Sequence, residues 1–328
     1  MSVERTTRFV DNGVGWQLAL HRYADPARLR PDTRPVVMVP GFAMNSFILG
    51  YHPRGTGIAG YLAEQGHEVW CVDLRGQGLA QRSSGPRGFG MADVALVDLP
   101  AAIDAICALS DVRGDAVDLI GCSLGATYMF MYAAWLPGNR AARLVNLGGP
   151  LRWTAVHPLL RTLSAAPPLW SLMRMKGTRG VARRLLPLAA RVPGLLHIYL
   201  HPAICDLSEP ATLVQTVDDP VPAINREIAR WVRAGDLLHR GRNLTEDVAR
   251  LELPLLTLVA NADGIVPEAT VCSAHNVMRR ADRALVFAGD EKRPMAHADL
   301  FISDPAEAHV FRPLAAWLAS EPAAQSAG

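Results

Sequence analysis

Apolar and polar positions along the first 150 residues follow two periods that take turns. Thr6 to Asp11 leads to an Asn12-Gly13 turn, and Trp16 to Tyr23 then alternates with period two, which predicts a β-hairpin. Val36-Val37-Met38-Val39 is an unbroken apolar run between Pro35 and Pro40, the pattern of a strand buried on both faces. Ile58 to Gln65 reads as a helix stopped by Gly66, and Glu68 to Leu74 as the next strand. Met91 to Leu109 has helical spacing, with Pro100 as a start or a kink. Val117 to Gly121 is a strand, Leu124 to Trp135 a helix, and Arg143 to Leu147 a strand closed by Gly148-Gly149-Pro150. Strands that alternate with helices predict a mostly parallel sheet covered by helices on both faces.

The pattern changes after residue 150. From 151 to 251 no convincing strand appears, and short Leu- and Arg-rich stretches are broken by prolines. Alternation then resumes with strands at Leu255 to Ala260 and Ala284 to Ala288 and helices at Ala269 to Arg279 and Pro305 to Ser320. The expected organisation is an α/β core made of residues 1–150 and 252–320. A helical cap or lid spans 151–251, and a small polar tail, expected to be disordered, spans 321–328. Leu119 to Leu136 is uncharged and as long as a membrane span. It contains Gly121-Cys122-Ser123-Leu124-Gly125, however, so a buried strand, a sharp turn and a buried helix explain it better.

Charge removes some function classes. A formal net charge of +2 is too small to steer a chain of 328 residues strongly toward nucleic acid or a membrane. All but two of the 33 basic residues are Arg, but they are scattered, as in a chain of GC-rich coding. Five cysteines at irregular spacing suggest neither a disulfide framework nor a zinc site. Met1 to Arg5 is charged and lacks a secretory apolar core, so a cytoplasmic location is expected.

Gly121-Cys122-Ser123-Leu124-Gly125 fits G-x-S-x-G between a predicted strand and a predicted helix. Small residues suit so sharp a turn, and Ser123 then stands at a helix N-terminus, where backbone N–H groups favour negative charge. A serine nucleophile needs a base, and the base needs an orienting carboxylate. Asp263, in Asn261-Ala262-Asp263-Gly264, and His297, in Met295-Ala296-His297-Ala298-Asp299, each follow a predicted strand. Strand ends on one edge of such a sheet converge. Asp206 and Asp236 are alternative acids. The oxyanion of acyl transfer needs two N–H donors. Leu124, after the nucleophile, supplies one, and Phe42, in Pro40-Gly41-Phe42-Ala43-Met44, the other. The remaining histidines show no metal-ligand spacing, and Asp218-Asp219 before Pro220 reads as a solvated turn. No cofactor or metal is called for.

In these stretches the chain resembles the α/β-hydrolase superfamily of serine hydrolases, of esterase or lipase type. Val39-Pro40-Gly41-Phe42 resembles the oxyanion loop, and Asp73-Leu74-Arg75-Gly76-Gln77-Gly78 the D-x-R-G-x-G stretch. The elbow, the Asp263 loop and the His297 loop match in order. The resemblance implies an eight-stranded sheet whose second strand is antiparallel. Val94 to Asp104 and the His297-x-Asp299-x-Phe301 pattern are similar to acid lipases. The latter, with Gly66-His67-Glu68-Val69, is also similar to polyhydroxyalkanoate synthases. Those synthases use Cys where this chain has Ser123.

The expected function is cleavage of a carboxylic ester with an apolar acyl or alcohol group through an acyl-enzyme on Ser123. An acyltransferase or a polyester depolymerase would use the same triad, and a catalytically silent ligand-binding protein would share only the fold. In the 151–251 stretch, Trp153, Leu159, Leu160, Leu163, Trp170, Leu172, Met173, Met175, Leu195, Leu196, Ile198 and Tyr199 are interleaved with Arg161, Arg174, Arg179, Arg183, Arg184 and Arg191. The favoured reading packs the apolar residues on the core with the arginines solvated. A helix lying on a lipid surface has the same pattern.

Overall fold

The computed structural model describes residues 3–158, 161–162, 176–192 and 194–320. The expected tail, and Leu159, Leu160, Leu163, Trp170, Leu172, Met173, Arg174 and Met175, lie outside them.

Eight strands form one sheet: β1 (Glu4–Asp11), β2 (Trp16–Ala24), β3 (Val36–Val39), β4 (Val69–Asp73), β5 (Val117–Cys122), β6 (Ala141–Leu147), β7 (Leu255–Ala260) and β8 (Arg283–Ala288). Their order across the sheet is β1-β2-β4-β3-β5-β6-β7-β8, and a two-residue strand, Gln81–Arg82, pairs with the start of β2. β2 runs antiparallel to both neighbours, and from β4 to β8 every pairing is parallel. This is the sheet expected from the sequence.

The apolar runs are unbroken because the central strands are buried on both faces. Along β3, Val36 and Met38 join one core cluster while Val37 and Val39 join the other, so alternate side chains feed opposite layers. One layer carries α1 (Ile58–Glu64). The other carries α2 (Leu99–Leu109) and α3 (Leu124–Trp135), the latter with eleven of its twelve residues buried.

The helix expected over Met91 to Leu109 is there, but Val94–Asp98 forms a π-helical turn. The cause is Pro100, which has no N–H to donate to the turn before it, so that turn opens to the wider ladder. The final helix repeats the device: Glu307–Phe311 is π-helical, two residues before Pro313, and leads into a last helix at Arg312–Ala319. The helix expected over Ala269 to Arg279 is two short ones, Glu268–Val271 and Ser273–Val277. Ser273 Oγ donates to the Thr270 carbonyl at 2.6 Å, a side-chain bond that competes with the helical ladder there.

Between β6 and β7 the described residues are mainly helical: α4 (Thr178–Ala189), α5 (Pro222–Ala234) and shorter turns. One difference from expectation is a two-residue hairpin, Leu238–His239 with Arg242–Asn243. Its turn residues Arg240 and Gly241 have φ of 49° and 78°, the left-handed pair that tight hairpins require. Among the described residues no helix is long and apolar enough to cross a membrane.

Candidate active site

Ser123 ends β5 and caps α3 with φ 53° and ψ −124°, a conformation that side-chain-bearing residues rarely adopt. The neighbouring chain holds it there. Ser123 N donates to the Leu147 carbonyl at the end of β6, and Ala126 N donates to the Ser123 carbonyl. Close packing of α3 on β3 completes the elbow. A Cβ on Gly125 would stand 2.2 Å from the Val39 carbonyl oxygen, so only glycine fits. Cys122, just before Ser123, is buried, and burial pushes its thiol well above the ordinary pKa, so it stays protonated.

Asp263 and His297 come from the loops after β7 and β8. His297 Nδ1 lies 2.6 Å from Asp263 Oδ2, and both residues are buried. The other Asp263 oxygen, Oδ1, accepts the N–H groups of Ile265 and Val266, each at 2.8 Å, so the carboxylate is locked at both ends. Among the described residues, no hydrogen bond joins Ser123 Oγ to His297. The two alternative acids are engaged elsewhere: Asp206 with Arg54, and Asp236 with Arg152 and Thr245.

Phe42 and Leu124 line the cavity beside Ser123. Their backbone N–H groups have no protein acceptor among the described residues, as an oxyanion site requires. The Phe42 loop approaches so closely that a Cβ on Gly41 would lie 2.9 Å from Ser123 Cβ. Ala43 in the same loop also has positive φ, 50°.

The sequence marked Asp73, Arg75 and Gln77 as part of the D-x-R-G-x-G stretch but not their part in holding these loops. Asp73 accepts Ser46 N at 2.8 Å and Leu79 N at 2.9 Å, with His21 Nε2 at 3.0 Å. Burial alone would raise the Asp73 pKa, but these donors bring it below the usual carboxylate range. Gln77 donates to the Gly41 carbonyl at 3.3 Å. Arg75 is riveted to the π-helical turn by three bonds to the buried Asp98, two from its guanidinium at 2.7 and 2.6 Å and one from its backbone N–H at 3.1 Å. The D-x-R-G-x-G stretch thus buttresses the loop that carries Phe42.

Asp218 is a correction: it is half-buried and held by the core, whereas Asp219 is exposed. Asp218 N donates to the Ala43 carbonyl at 2.9 Å. Its carboxylate accepts Gly78 N, Asn45 Nδ2 and Arg179. Asp219 accepts Gly177 N and Thr178 N at the start of α4. The pair ties the helical segment to the loop that carries Phe42. On the opposite side, Gly264 N donates to the Ile198 carbonyl and Ala298 N to the Tyr199 carbonyl, so one stretch of chain spans both the Asp263 and the His297 loops. Asp299, fully buried, accepts Ala296 N, His201 N and the Cys205 thiol, and lies 2.8 Å from His201 Nδ1. The Tyr199 ring lies 6.2 Å from that of His297, and burial, with the charges of Asp263 and Asp299, pushes its hydroxyl up to about 12. The His297-x-Asp299 pattern was the only signal of this layer in the sequence.

Ser123 opens on an apolar cavity of about 110 Å³ walled by Phe42, Leu124, Trp153, Trp231, Ile265 and Val266. The two indole rings meet edge to face at 5.7 Å. Among the described residues, no cluster of His, Cys, Asp and Glu is arranged to hold a metal ion.

A strained serine between strand and helix, a buried Asp–His pair on the next loops, and this strand order define an α/β-hydrolase site. Residues 34–270 match the family model of the alpha/beta hydrolase fold, and the chain belongs to that family. Among solved structures it is similar to an esterase from Exiguobacterium antarcticum (15% identity, TM-score 0.60, covering 96% of this chain and 100% of that one). It is also similar to a bromoperoxidase from Bacillus anthracis (14%, 0.62, 95% and 99%). A third is the haloalkane dehalogenase DatA from Agrobacterium tumefaciens C58 (17%, 0.60, 96% and 96%). At these identities the likeness is one of fold. No match was found among curated proteins.

Proposed function

We propose that this protein is a serine hydrolase that cleaves a carboxylic ester carrying an apolar acyl or alcohol group, with Ser123, His297 and Asp263 as its triad. The observation that carries the reading is the Asp263–His297 pair, locked at 2.6 Å beside a strained serine that faces an apolar cavity with two unengaged N–H groups. His297 Nε2 takes the Ser123 proton as Ser123 Oγ attacks the ester carbonyl carbon. The carbonyl oxygen becomes an oxyanion held by Phe42 N–H and Leu124 N–H. The tetrahedral centre collapses, the alcohol leaves with the proton from His297, and an acyl-enzyme remains. Water, deprotonated by His297, then releases the acid and restores Ser123. Asp263 holds His297 with Nδ1 protonated throughout and stabilises the imidazolium. The helical segment over Ser123 acts as the cap. The five cysteines, all free, fit a reducing cytoplasmic location.

The apolar cavity supports an apolar substrate. The test is a p-nitrophenyl ester series from acetate to palmitate on the wild type and on Trp231→Ala. A chain-length optimum that lengthens in Trp231→Ala supports the cavity as the acyl site, and an unchanged optimum contradicts it. Turnover that rises with added alcohol and yields the transferred ester would identify an acyltransferase instead. Faster acid release from ester oligomers than from monoesters would identify a depolymerase.

A further inference from the structure

The charge of this chain is unevenly placed. Eight of its 33 basic residues, and none of its 31 acidic ones, fall between Leu151 and Cys205. Two of the eight are neutralised within the fold: Arg152 by Asp236 and Arg179 by Asp218. Arg183, Arg184 and Arg191 are exposed and have no carboxylate partner among the described residues.

Arg184 and Arg191 flank an apolar strip by helical spacing, and Arg183 lies farther round α4. On α4, Ala182, Leu186 and Ala189, with Ile48, Tyr199 and Leu213, wall an apolar cavity of about 260 Å³, which Leu185 also lines. The adjacent positions Val181, Leu185 and Leu188, spaced i, i+4, i+7, are 46%, 54% and 57% exposed. Val192 and Leu195 extend the series past the helix end, at 51% and 54%. Five of the eleven large exposed apolar residues of the described chain therefore sit within fifteen consecutive residues. Exposed leucines scattered singly need no explanation, but a continuous strip does.

We infer that this face of α4 and the turn after it is a docking surface for an anionic phospholipid bilayer. The charge pattern selects that occupant. A second copy would set one unpaired arginine strip against another. A bilayer takes both halves of the face: the valines and leucines at the boundary between headgroups and acyl chains, and the guanidiniums on lipid phosphates, which they bind in paired hydrogen bonds. No acidic residue falls within the stretch itself, and the carboxylate nearest the start of α4, Asp219, is held there by Gly177 N and Thr178 N. The inference does not rest on the ester reading, and its test uses no turnover.

The test is flotation of the full-length protein with vesicles of phosphatidylcholine alone or with added phosphatidylglycerol. Retention on the phosphatidylglycerol vesicles alone, weakened by salt, is the expected result. Arg184→Gln with Arg191→Gln is expected to weaken partition roughly twenty-five-fold, since each basic residue near such a surface contributes about fivefold. Val181→Glu with Leu188→Glu is expected to abolish it while the circular-dichroism melt stays that of the wild type, because both side chains are exposed. No binding by the wild type, equal binding to both vesicle types, or undiminished binding by either double variant overturns the inference. So does a wild-type dimer in sedimentation that Val181→Glu with Leu188→Glu dissolves, which would assign the face to a second copy.

Discussion

Replacing Asp263 by Asn tests how the triad is wired, and the geometry fixes the outcome in advance. Oδ1 accepts two backbone N–H groups, from Ile265 and Val266 at 2.8 Å, while Oδ2 faces His297 Nδ1 at 2.6 Å. An amide has one oxygen to offer. Setting its NH₂ against two N–H donors would leave both without an acceptor, at roughly 1–3 kcal/mol each. The amide oxygen therefore stays with the backbone, and the NH₂ points at His297. His297 Nδ1 must then accept, so its proton moves to Nε2, the atom that has to take the proton from Ser123. The base is in the wrong tautomer. The expected loss is about 10⁴-fold in kcat, or about 5.5 kcal/mol, with little change in KM because Asp263 does not touch substrate. Initial rates on p-nitrophenyl butyrate read this directly, and thermal melts run beside them. Asp263→Ala, which orphans both N–H groups, is expected to melt lower than Asp263→Asn. If Asn keeps more than a tenth of wild-type kcat, or if Asn and Ala are equally destabilised, the wiring described here is wrong.

Three further outcomes follow from the packing and from a buried histidine. Gly41→Ala pushes a methyl to 2.9 Å from Ser123 Cβ and is expected to lower kcat at least tenfold with a near-native melt; Gly125→Ala sets one at 2.2 Å from the Val39 carbonyl and is expected to destabilise the fold itself by several kcal/mol, which denaturant titration measures. Burial, and then the Arg30 guanidinium at 2.9 Å, push the pKa of His67 down to about 4 from 6.5. The unfolded chain takes up that proton as pH falls through 6.5, and the folded chain only near 4. Its contribution is therefore fully present above pH 6.5 and is lost between 6.5 and 4, by up to about 3 kcal/mol. Unfolding free energies across that window should fall in the wild type and fall less in His67→Gln; parallel curves would contradict the assignment.

The sheet was legible in the sequence because its strands are buried on both faces and bounded by breakers: Val36–Val39 lies between two prolines and starts and stops where the pattern says. The elbow was legible because strain leaves a local signature in its glycines. Asp263 and His297 could be picked by chain order, but that Asp263 Oδ1 is clamped by its own loop is a matter of backbone geometry that no pattern encodes. Asp218 read as a turn residue because its partners, Ala43, Asn45 and Gly78, are more than 130 residues away in the chain. Tyr199 read as one apolar residue among many, although its carbonyl holds the loop that bears His297. The π-helical turns were foreshadowed by Pro100 and Pro313, but a missing N–H predicts a break in the ladder and not the way it is repaired.

The most direct test of the central claim is the intact mass of the protein after brief incubation with a fluorophosphonate, for the wild type and for Ser123→Ala, with ester turnover measured on the same samples. The account predicts one adduct, on the peptide bearing Ser123, with turnover lost in step. Ser123→Ala should take up no label and turn over at least about a thousandfold more slowly. An adduct on another residue, or equal ester turnover in the two proteins, would contradict it.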